Sequence, residues 1–414
     1  MVMEIEKAIE VVTSGATIVG TEEVALEEAA GRVLAIEVTA GLNVPPFDRS
    51  SLDGYALNSE GTKEASSKEP VKLKILETVG AGFSFGGEVP ENCCVRIMTG
   101  APLPGGTNAV VAQEKVTVKE GYILVESPLV PEEGMVRAGQ EIKESEKVMD
   151  KGTLLHPPQL GILADLGYAL VCVYKKPLLG IVSTGAELVS PGTSRGENNI
   201  YESNSIIMGA LVKACGGEFI KYGPVPDSEE ELVKAVEDAF SRCDAVITTG
   251  GISQGDYDLM PRVMERCGIE VLISSLDVRP GTFSAAGKRS GKWIFSLSGS
   301  PPAARMIFEL LVRPFILVSA GNCRWKRPAV KAVLQHSLIN RGDKKLVSKG
   351  WCYFSRGEYY VQIPRVKAKS TGSGVPPGWG RRENSMLVLP PSGQPLKQGD
   401  KIEVKLTELP EVEN

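Results

Sequence analysis

Two short runs carry the residue types from which a phosphate or metal site can be built. Residues 246–258 read VITTGGISQGDYD, and residues 183–187 read STGAE. In the first run, Ala245-Val246-Ile247-Thr248-Thr249 has the β-branched character of a buried strand. It breaks at Gly250-Gly251, passes Ser253 and Gly255, and delivers Asp256 and Asp258. A strand that enters a glycine turn exposes backbone N–H groups with no Cβ in the way, which suits an anion. Two acids just beyond it suit a hard cation such as Mg2+. Taken alone, turn glycines and solvated acids account for the same pattern. Asp227 has a second reading as well, because Glu230 lies three residues on and the pair matches a helix capping box. Asp53, directly before Gly54, reads as a turn acid.

The elements that would position these groups come in blocks. Residues 1–30 read as helix, with Ile5, Ala8, Ile9 and Val12 at helical spacing and a second helical turn starting at Thr21. A Pro45-Pro46 linker follows, and from there to about Val136 short alternating runs separated by glycine turns predict an all-β region. Within it, Thr99-Gly100-Ala101-Pro102 is a stiff loop. His156-Pro157-Pro158-Gln159 opens a helix that stops at Gly167. This return to helix suggests that the β region is inserted into a helical one.

Residues 176–321 alternate strands and helices. Strands are expected over 178–183, 246–249 and 293–297, with helices over 204–214, 227–240, 259–266 and 301–317. The pattern predicts a doubly wound, mostly parallel sheet with ligands beyond its carboxyl ends. Both Ser183-Thr184-Gly185 and Thr249-Gly250-Gly251 fall at such ends. Residues 324–414 are again β-like, interrupted by a Gly/Pro-rich loop over 371–382.

Composition narrows the function classes. A chain of 414 residues exceeds a single core and predicts two to four domains. The net charge of −5 gives no basic field of the kind that marks nucleic-acid binding. Eight cysteines include no C-x-x-C pair, and two histidines give no zinc-ligand spacing, so reduced thiols in a cytoplasmic protein are expected. No apolar run reaches membrane-spanning length, and Glu4, Glu6 and Glu10 interrupt any signal-like start.

Several motifs occur in one order along nearly the whole chain: PPFDRSSLDGYA (45–56), RIMTGAPLPGGTNAVVAQE (96–114), RAGQEI (137–142), STGAELVSPG (183–192), IYESNS (200–205), ITTGGISQGDYD (247–258), RPGTFSAAGK (279–288) and SLSGSPPAA (296–304). Together they resemble the molybdopterin molybdenumtransferases, the MoeA family that includes the E domain of gephyrin. The resemblance implies insertion of molybdate, or tungstate, into adenylylated molybdopterin with release of AMP, assisted by Mg2+ or a similar cation. It implies a cytoplasmic homodimer with its active site between subunits, and makes a molybdopterin adenylyltransferase a candidate partner. It also implies four domains: a helical linker (1–45 with 136–175), an inserted β domain (46–135), an α/β molybdopterin-binding domain (176–325) and a C-terminal β-barrel (326–414). A non-catalytic relative acting as a scaffold is the alternative.

In that frame Asp53, Glu187, Asp227 and Asp258 are the candidate catalytic acids, and Glu187, Asp227, Asp256 and Asp258 the candidate metal ligands. Ser183, Thr184, Gly185, Ser203, Gly250, Gly251 and Ser253 would bind pterin and phosphate through backbone N–H and hydroxyl groups. Arg279, Lys288 and Arg137 are candidate anion clamps, Glu141 is a further substrate-binding candidate, and Arg381 and Arg382 could reach an anion. The chain departs from the family pattern at three places. Glu141 replaces an Asp, Ser298-Gly299-Ser300-Pro301 replaces a Pro-Gly-Asn-Pro turn, and Arg279-Pro280-Gly281-Thr282 replaces Lys-Pro-Gly-Lys. Arg for Lys changes a point charge into a planar fork of donors.

Overall fold

The computed structural model describes residues 2–251, 259–363, 383–391 and 393–412. The chain divides into two units. One comprises Met1–Glu22, Gly31–Val33 and Val173–Asn414, and the other Glu23–Ala30 and Leu34–Cys172.

The first unit is built on a six-stranded sheet. Its strands are β1 (Leu178–Thr184), β2 (Glu218–Val225), β3 (Ala245–Thr249), β4 (Glu270–Ile273), β5 (Ala285–Arg289) and β6 (Lys292–Leu297), in the spatial order β2-β1-β3-β6-β5-β4. The pairs β2–β1, β1–β3 and β3–β6 are parallel, whereas β6–β5 and β5–β4 are antiparallel. The expected mostly parallel sheet is therefore a mixed one. The reason lies in Ser290-Gly291, a two-residue loop with φ of 49° and 85°. Both values are positive, as in the type I′ turn that joins antiparallel strands.

Four helices accompany the sheet: α1 (Asn204–Ala214), α2 (Glu229–Arg242), α3 (Met260–Arg266) and α4 (Pro301–Ile307). Helix α4 runs on through a π turn, Phe308–Val312, into Arg313–Ser319. Strand residues alternate between two cores, as a period of two requires. Leu179, Ile181, Ala245 and Ile247 join Met208 and Val212 of α1 and the N-terminal helix on one face. Val182, Val246 and Ile294 join Leu232, Val236 and Phe240 of α2 on the other. Near-continuous apolar strands such as Ala245–Thr249 are legible as sheet interior because both faces are covered.

The N-terminal helix spans Ile5–Gly15, and Thr21–Ala25 is a strand rather than the expected second helical turn. Gly15 ends the helix against Trp293, whose indole N–H donates to its carbonyl at 3.0 Å. A Cβ on Gly15 would come within 2.6 Å of the indole ring. Ala16, at φ −70° and ψ 137°, is already extended, and Gly20, at φ 116°, directly precedes the strand.

The same unit ends in a closed five-stranded barrel. Lys345–Ser355 pairs with Glu358–Gln362, which pairs with Ala329–Leu334, then Lys401–Leu406, then Ser385–Leu389, which returns to Lys345–Ser355. Ala332, Leu334, Cys352, Val361 and Val404 fill its interior.

The second unit contains a six-stranded sheet in the order Ala109–Ala112, Gly54–Leu57, Cys93–Ile97, Val71–Val79, Tyr122–Val125 and Val116–Lys119. The all-β expectation for this region thus agrees with the strands found. Its helix Pro157–Asp165 starts at the expected prolines, and the Gln159 side chain accepts from the His156 N–H at 3.2 Å.

Candidate functional site

Strand β1 connects through α1 to β2 on one side of it, and β2 connects through α2 to β3 on the other. The chain direction across the sheet therefore reverses between β1 and β3, the kind of switch point at which open α/β sheets bind ligands. A cleft of about 410 Å³ opens there. Its floor is made by Thr184 and Gly185 from the end of β1 and Gly250 and Gly251 from the end of β3.

The floor is packed backbone on backbone. A Cβ on Gly250 would stand 2.3 Å from the Thr184 carbonyl oxygen, and φ at Gly250 is 94°. A Cβ on Gly299 would stand 3.4 Å from the Gly250 Cα. Glycine is thus required at Gly250 on two counts, contact and conformation.

Asp227 is the best-defined acid of the cleft. Its carboxylate accepts from the Thr184 hydroxyl at 2.5 Å and from the Ala186 N–H at 3.0 Å. The capping-box reading does not hold, because Ser228 is the N-cap of α2 and makes no side-chain cap bond. Asp227 instead ties the loop before α2 to the turn after β1. Glu187 lines the same cleft, is exposed, and can fold over Gly185 because that residue lacks a Cβ, which would lie 2.9 Å from a Glu187 carboxylate oxygen. Two oxygen donors of this kind are what Mg2+ takes from proteins alongside substrate phosphates.

Glu202, Asn204 and Tyr201 are among the lining residues that the sequence does not single out. The side chain of Glu202 is fully buried, accepts from the Ser205 N–H at 2.7 Å and from its hydroxyl, and pairs with Lys221 at 3.3 Å. Asn204 donates to the Gly299 carbonyl at 2.8 Å, tying the start of α1 to the Ser298-Gly299 turn. Ser203 lines the cleft beside them. The run Tyr201-Glu202-Ser203-Asn204 leads into a helix, and of these four the sequence points only to Ser203, through its aliphatic hydroxyl. Ile200 and Tyr201, 44% and 48% exposed, give the rim an apolar face. Replacing Glu202 by Ala removes the two Ser205 bonds and leaves Lys221 without its partner. We expect a loss of about 2–3 kcal/mol in a denaturant titration, discounted because Lys221 is partly exposed.

Other candidates lie elsewhere. Ser183 is fully buried and outside the cleft lining, so its hydroxyl is not offered to a ligand there. Lys288 reaches the Gly15 carbonyl at 3.1 Å and so caps the N-terminal helix. Arg279 donates to Asn340 of the barrel at 2.6 Å. Ser253, Asp256, Asp258, Arg381 and Arg382 lie outside the described residues. Among the described residues, no group of three or more His, Cys, Asp or Glu is arranged as a metal site.

In the second unit, Asp53 accepts from the Thr99 N–H at 2.8 Å and its hydroxyl at 2.7 Å. It pins the Thr99 loop. Arg137 pairs with Glu132 at 2.6 Å and Asp48 at 3.4 Å, and Glu141 pairs with Arg49 at 3.2 Å. The Thr99 backbone bond, then its hydroxyl, hold the Asp53 carboxyl below the usual value of 3.8. A folded pKa below the unfolded one favours the folded state above the unfolded value, and that contribution is lost as pH falls through the folded value. A carbon-13 titration of the Asp53 carboxyl should have a midpoint under 3.8, and Thr99→Ala should return it toward 3.8.

A multidomain chain with its ligand cleft at the switch point of an α/β sheet, a closed barrel after it and a β-rich unit before it is the class this fold defines. Residues 3–167 match the MoeA N-terminal region (domain I and II), and residues 180–317 match a family described as probable molybdopterin binding domain. A curated molybdopterin molybdenumtransferase of Haemophilus influenzae is 36% identical over 85% of both chains. One from Staphylococcus aureus is 31% identical over 93% of this chain and 91% of its own. Two crystal structures of a MoeA molybdopterin biosynthesis protein from Pyrococcus horikoshii match with TM-scores of 0.85 and 0.81. Each is 30% identical and covers 99% and 98% of this chain and 100% of the other. The chain belongs to the molybdopterin molybdenumtransferase family, enzymes of molybdenum cofactor biosynthesis.

Proposed function

We propose that the protein inserts molybdate, or tungstate, into adenylylated molybdopterin and releases AMP. The observation that carries this reading is the cleft itself. Its walls present the carboxylates of Glu187 and Asp227, and among the described residues no Lys or Arg lines it. A pyrophosphate entering an acidic cleft needs a cation as counter-charge. Glu187 and Asp227 would hold Mg2+, with Asp256 and Asp258 as further candidates from the stretch after β3. When bound, Mg2+ neutralises the pyrophosphate and polarises its phosphorus toward attack.

The residues of the chain do the rest. The backbone N–H of Gly250 donates to the Leu297 carbonyl at 3.2 Å, which leaves the N–H of Gly251 to meet a phosphate oxygen; Thr184 is held by its hydrogen bond to Asp227, and Ser203 offers its hydroxyl. Tyr201 and Ile200 offer a flat apolar surface to a planar ring. Arg279 acts as an oxyanion clamp. Asp53, Arg137 and Glu141 contribute from the second unit in a homodimer whose active site lies between subunits. The reading includes the four-domain division given above, a cytoplasmic location and a molybdopterin adenylyltransferase as the supplier of substrate. Among the described residues no helix is long and apolar enough to cross a membrane.

The test mixes purified protein with adenylylated molybdopterin, Mg2+ and either molybdate or tungstate, and follows AMP. Omitting Mg2+ should reduce AMP release by at least about tenfold. Equal release in a chelator would remove the cation from the account.

A further inference from the structure

Arg279 reaches its place by an unusual degree of support from the C-terminal barrel. Val278–Arg279 pairs in parallel with Lys345 and Leu346, the first residues of the longest barrel strand. Just beyond, Gly281 sits so close to α4 that a Cβ there would stand 2.4 Å from Ile307. The backbone on both sides of the Arg279 side chain is therefore fixed.

The guanidinium is fixed as well. Its Nη2 donates to the side-chain oxygen of Asn340 at 2.6 Å. Asn340 is itself immobile: it is 3% exposed, its oxygen also accepts from the Gly342 N–H at 3.1 Å, and its nitrogen donates to the carbonyls of Lys344 and Pro390, both at 2.8 Å. Gly342 lies flat under the guanidinium, so close that a Cβ would stand 2.5 Å from Arg279 Cζ. Arg279 is itself exposed, so solvent and ligands can reach its guanidinium.

We propose that Asn340 and Gly342 are positioning residues that aim Arg279 at a tetrahedral oxyanion. The inference rests on the reading of Arg279 as an oxyanion clamp. Free arginine loses about 2 kcal/mol of rotamer entropy when its side chain is held. Here the barrel holds one donor and one face of the guanidinium before any ligand arrives, on a residue that stays exposed. Binding an oxyanion then costs less ordering than it would for an unsupported lysine or arginine. The same arrangement gives this chain's Arg a reason to differ from the Lys of the related motif. A rigid fork can use a flat seat and a buried amide; a single ammonium cannot.

Gly342→Ala tests the seat without touching Asn340. The methyl group meets the far end of a flexible side chain, so the fold should tolerate it while the guanidinium is displaced. Asn340→Asp is a second variant: it keeps the acceptor and neutralises the arginine but loses the two N–H donations to the Lys344 and Pro390 carbonyls, so a thermal melt run beside the assay shows whether the barrel is intact. We expect each to raise the KM for molybdate about tenfold, with kcat within about twofold, a change equivalent to roughly 1.4 kcal/mol. In an Arg279→Ala background, Gly342→Ala should add nothing. A rise in the KM for adenylylated molybdopterin instead assigns the oxyanion to that substrate's phosphate and equally supports the positioning role. If Arg279→Ala raises either KM but Gly342→Ala and Asn340→Asp raise neither, the positioning role is overturned. If Arg279→Ala leaves both unchanged, the clamp reading itself fails.

Discussion

Asp227→Ala should lower turnover by about 100- to 1000-fold, the scale of loss when one preorganised electrostatic group leaves an active site. The substitution removes the acceptor that holds the Thr184 hydroxyl at 2.5 Å and the Ala186 N–H at 3.0 Å. The cost to folding should stay near 1 kcal/mol, because Asp227 is exposed and water replaces both bonds. Asp227→Asn separates the two roles of the group. An amide oxygen can still accept from Thr184 or Ala186, but it carries no charge. If Asp227 only orients Thr184, the Asn variant retains most activity. If it neutralises a cation at the pyrophosphate, Asn and Ala are about equally impaired, and excess Mg2+ partly restores the Asn variant. We expect the second pattern. Thermal melts of both variants, run beside the AMP assay, show whether the fold is intact.

The largest expected structural effect is at Gly250. Gly250→Ala puts a methyl group 2.3 Å from the Thr184 carbonyl oxygen at a φ of 94°. Overpacking and backbone strain each cost roughly 1–3 kcal/mol, so the variant should lose about 2–5 kcal/mol and its ligand binding with it. Gly251→Ala is the matched control. Its φ of 62° is a left-handed conformation that costs an alanine about 1 kcal/mol, and its nearest neighbour would be the Thr184 methyl at 3.3 Å. Calorimetry on the pair should therefore separate them by at least about 1 kcal/mol, with Gly250→Ala the worse. Equal stabilities would mean that β1 and β3 do not meet through the Gly250–Thr184 contact.

The parts of this fold that could be read from the residues are those with a strong period. Leu178–Thr184 and Ala245–Thr249 are near-continuous apolar runs that end in hydroxyl residues, and such runs need cover on both faces. The barrel strands alternate, and helices such as Pro301–Ile307 begin at prolines. What escaped was local chemistry without a period. The strand Glu218–Val225 carries Lys221 and Gly223 and looks like loop until it pairs with β1. The Ser290-Gly291 hairpin turns a parallel sheet into a mixed one with two residues. Thr21–Ala25 has helix-forming glutamates, yet it is a strand directly preceded by Gly20 at positive φ.

The site divides in the same way. Thr184, Gly185, Glu187, Ser203, Asp227, Gly250 and Gly251 were foreseen and share one cleft. Glu202 and Asn204 were not, because their importance comes from what they touch, Ser205 and Gly299, and no spacing rule points across the fold. Lys288 shows the converse. A basic residue in a suggestive motif proves to cap a helix end over two hundred residues earlier in the chain.

We propose that the cleft between β1 and β3 binds adenylylated molybdopterin for an oxyanion-dependent release of AMP. The most direct test is single-turnover AMP release from purified protein loaded with adenylylated molybdopterin and Mg2+, started by adding molybdate. Release should depend on molybdate, saturate with its concentration, and be lost in Asp227→Ala while substrate binding persists. Release at the same rate without any oxyanion, or undiminished release by Asp227→Ala, would contradict this proposal.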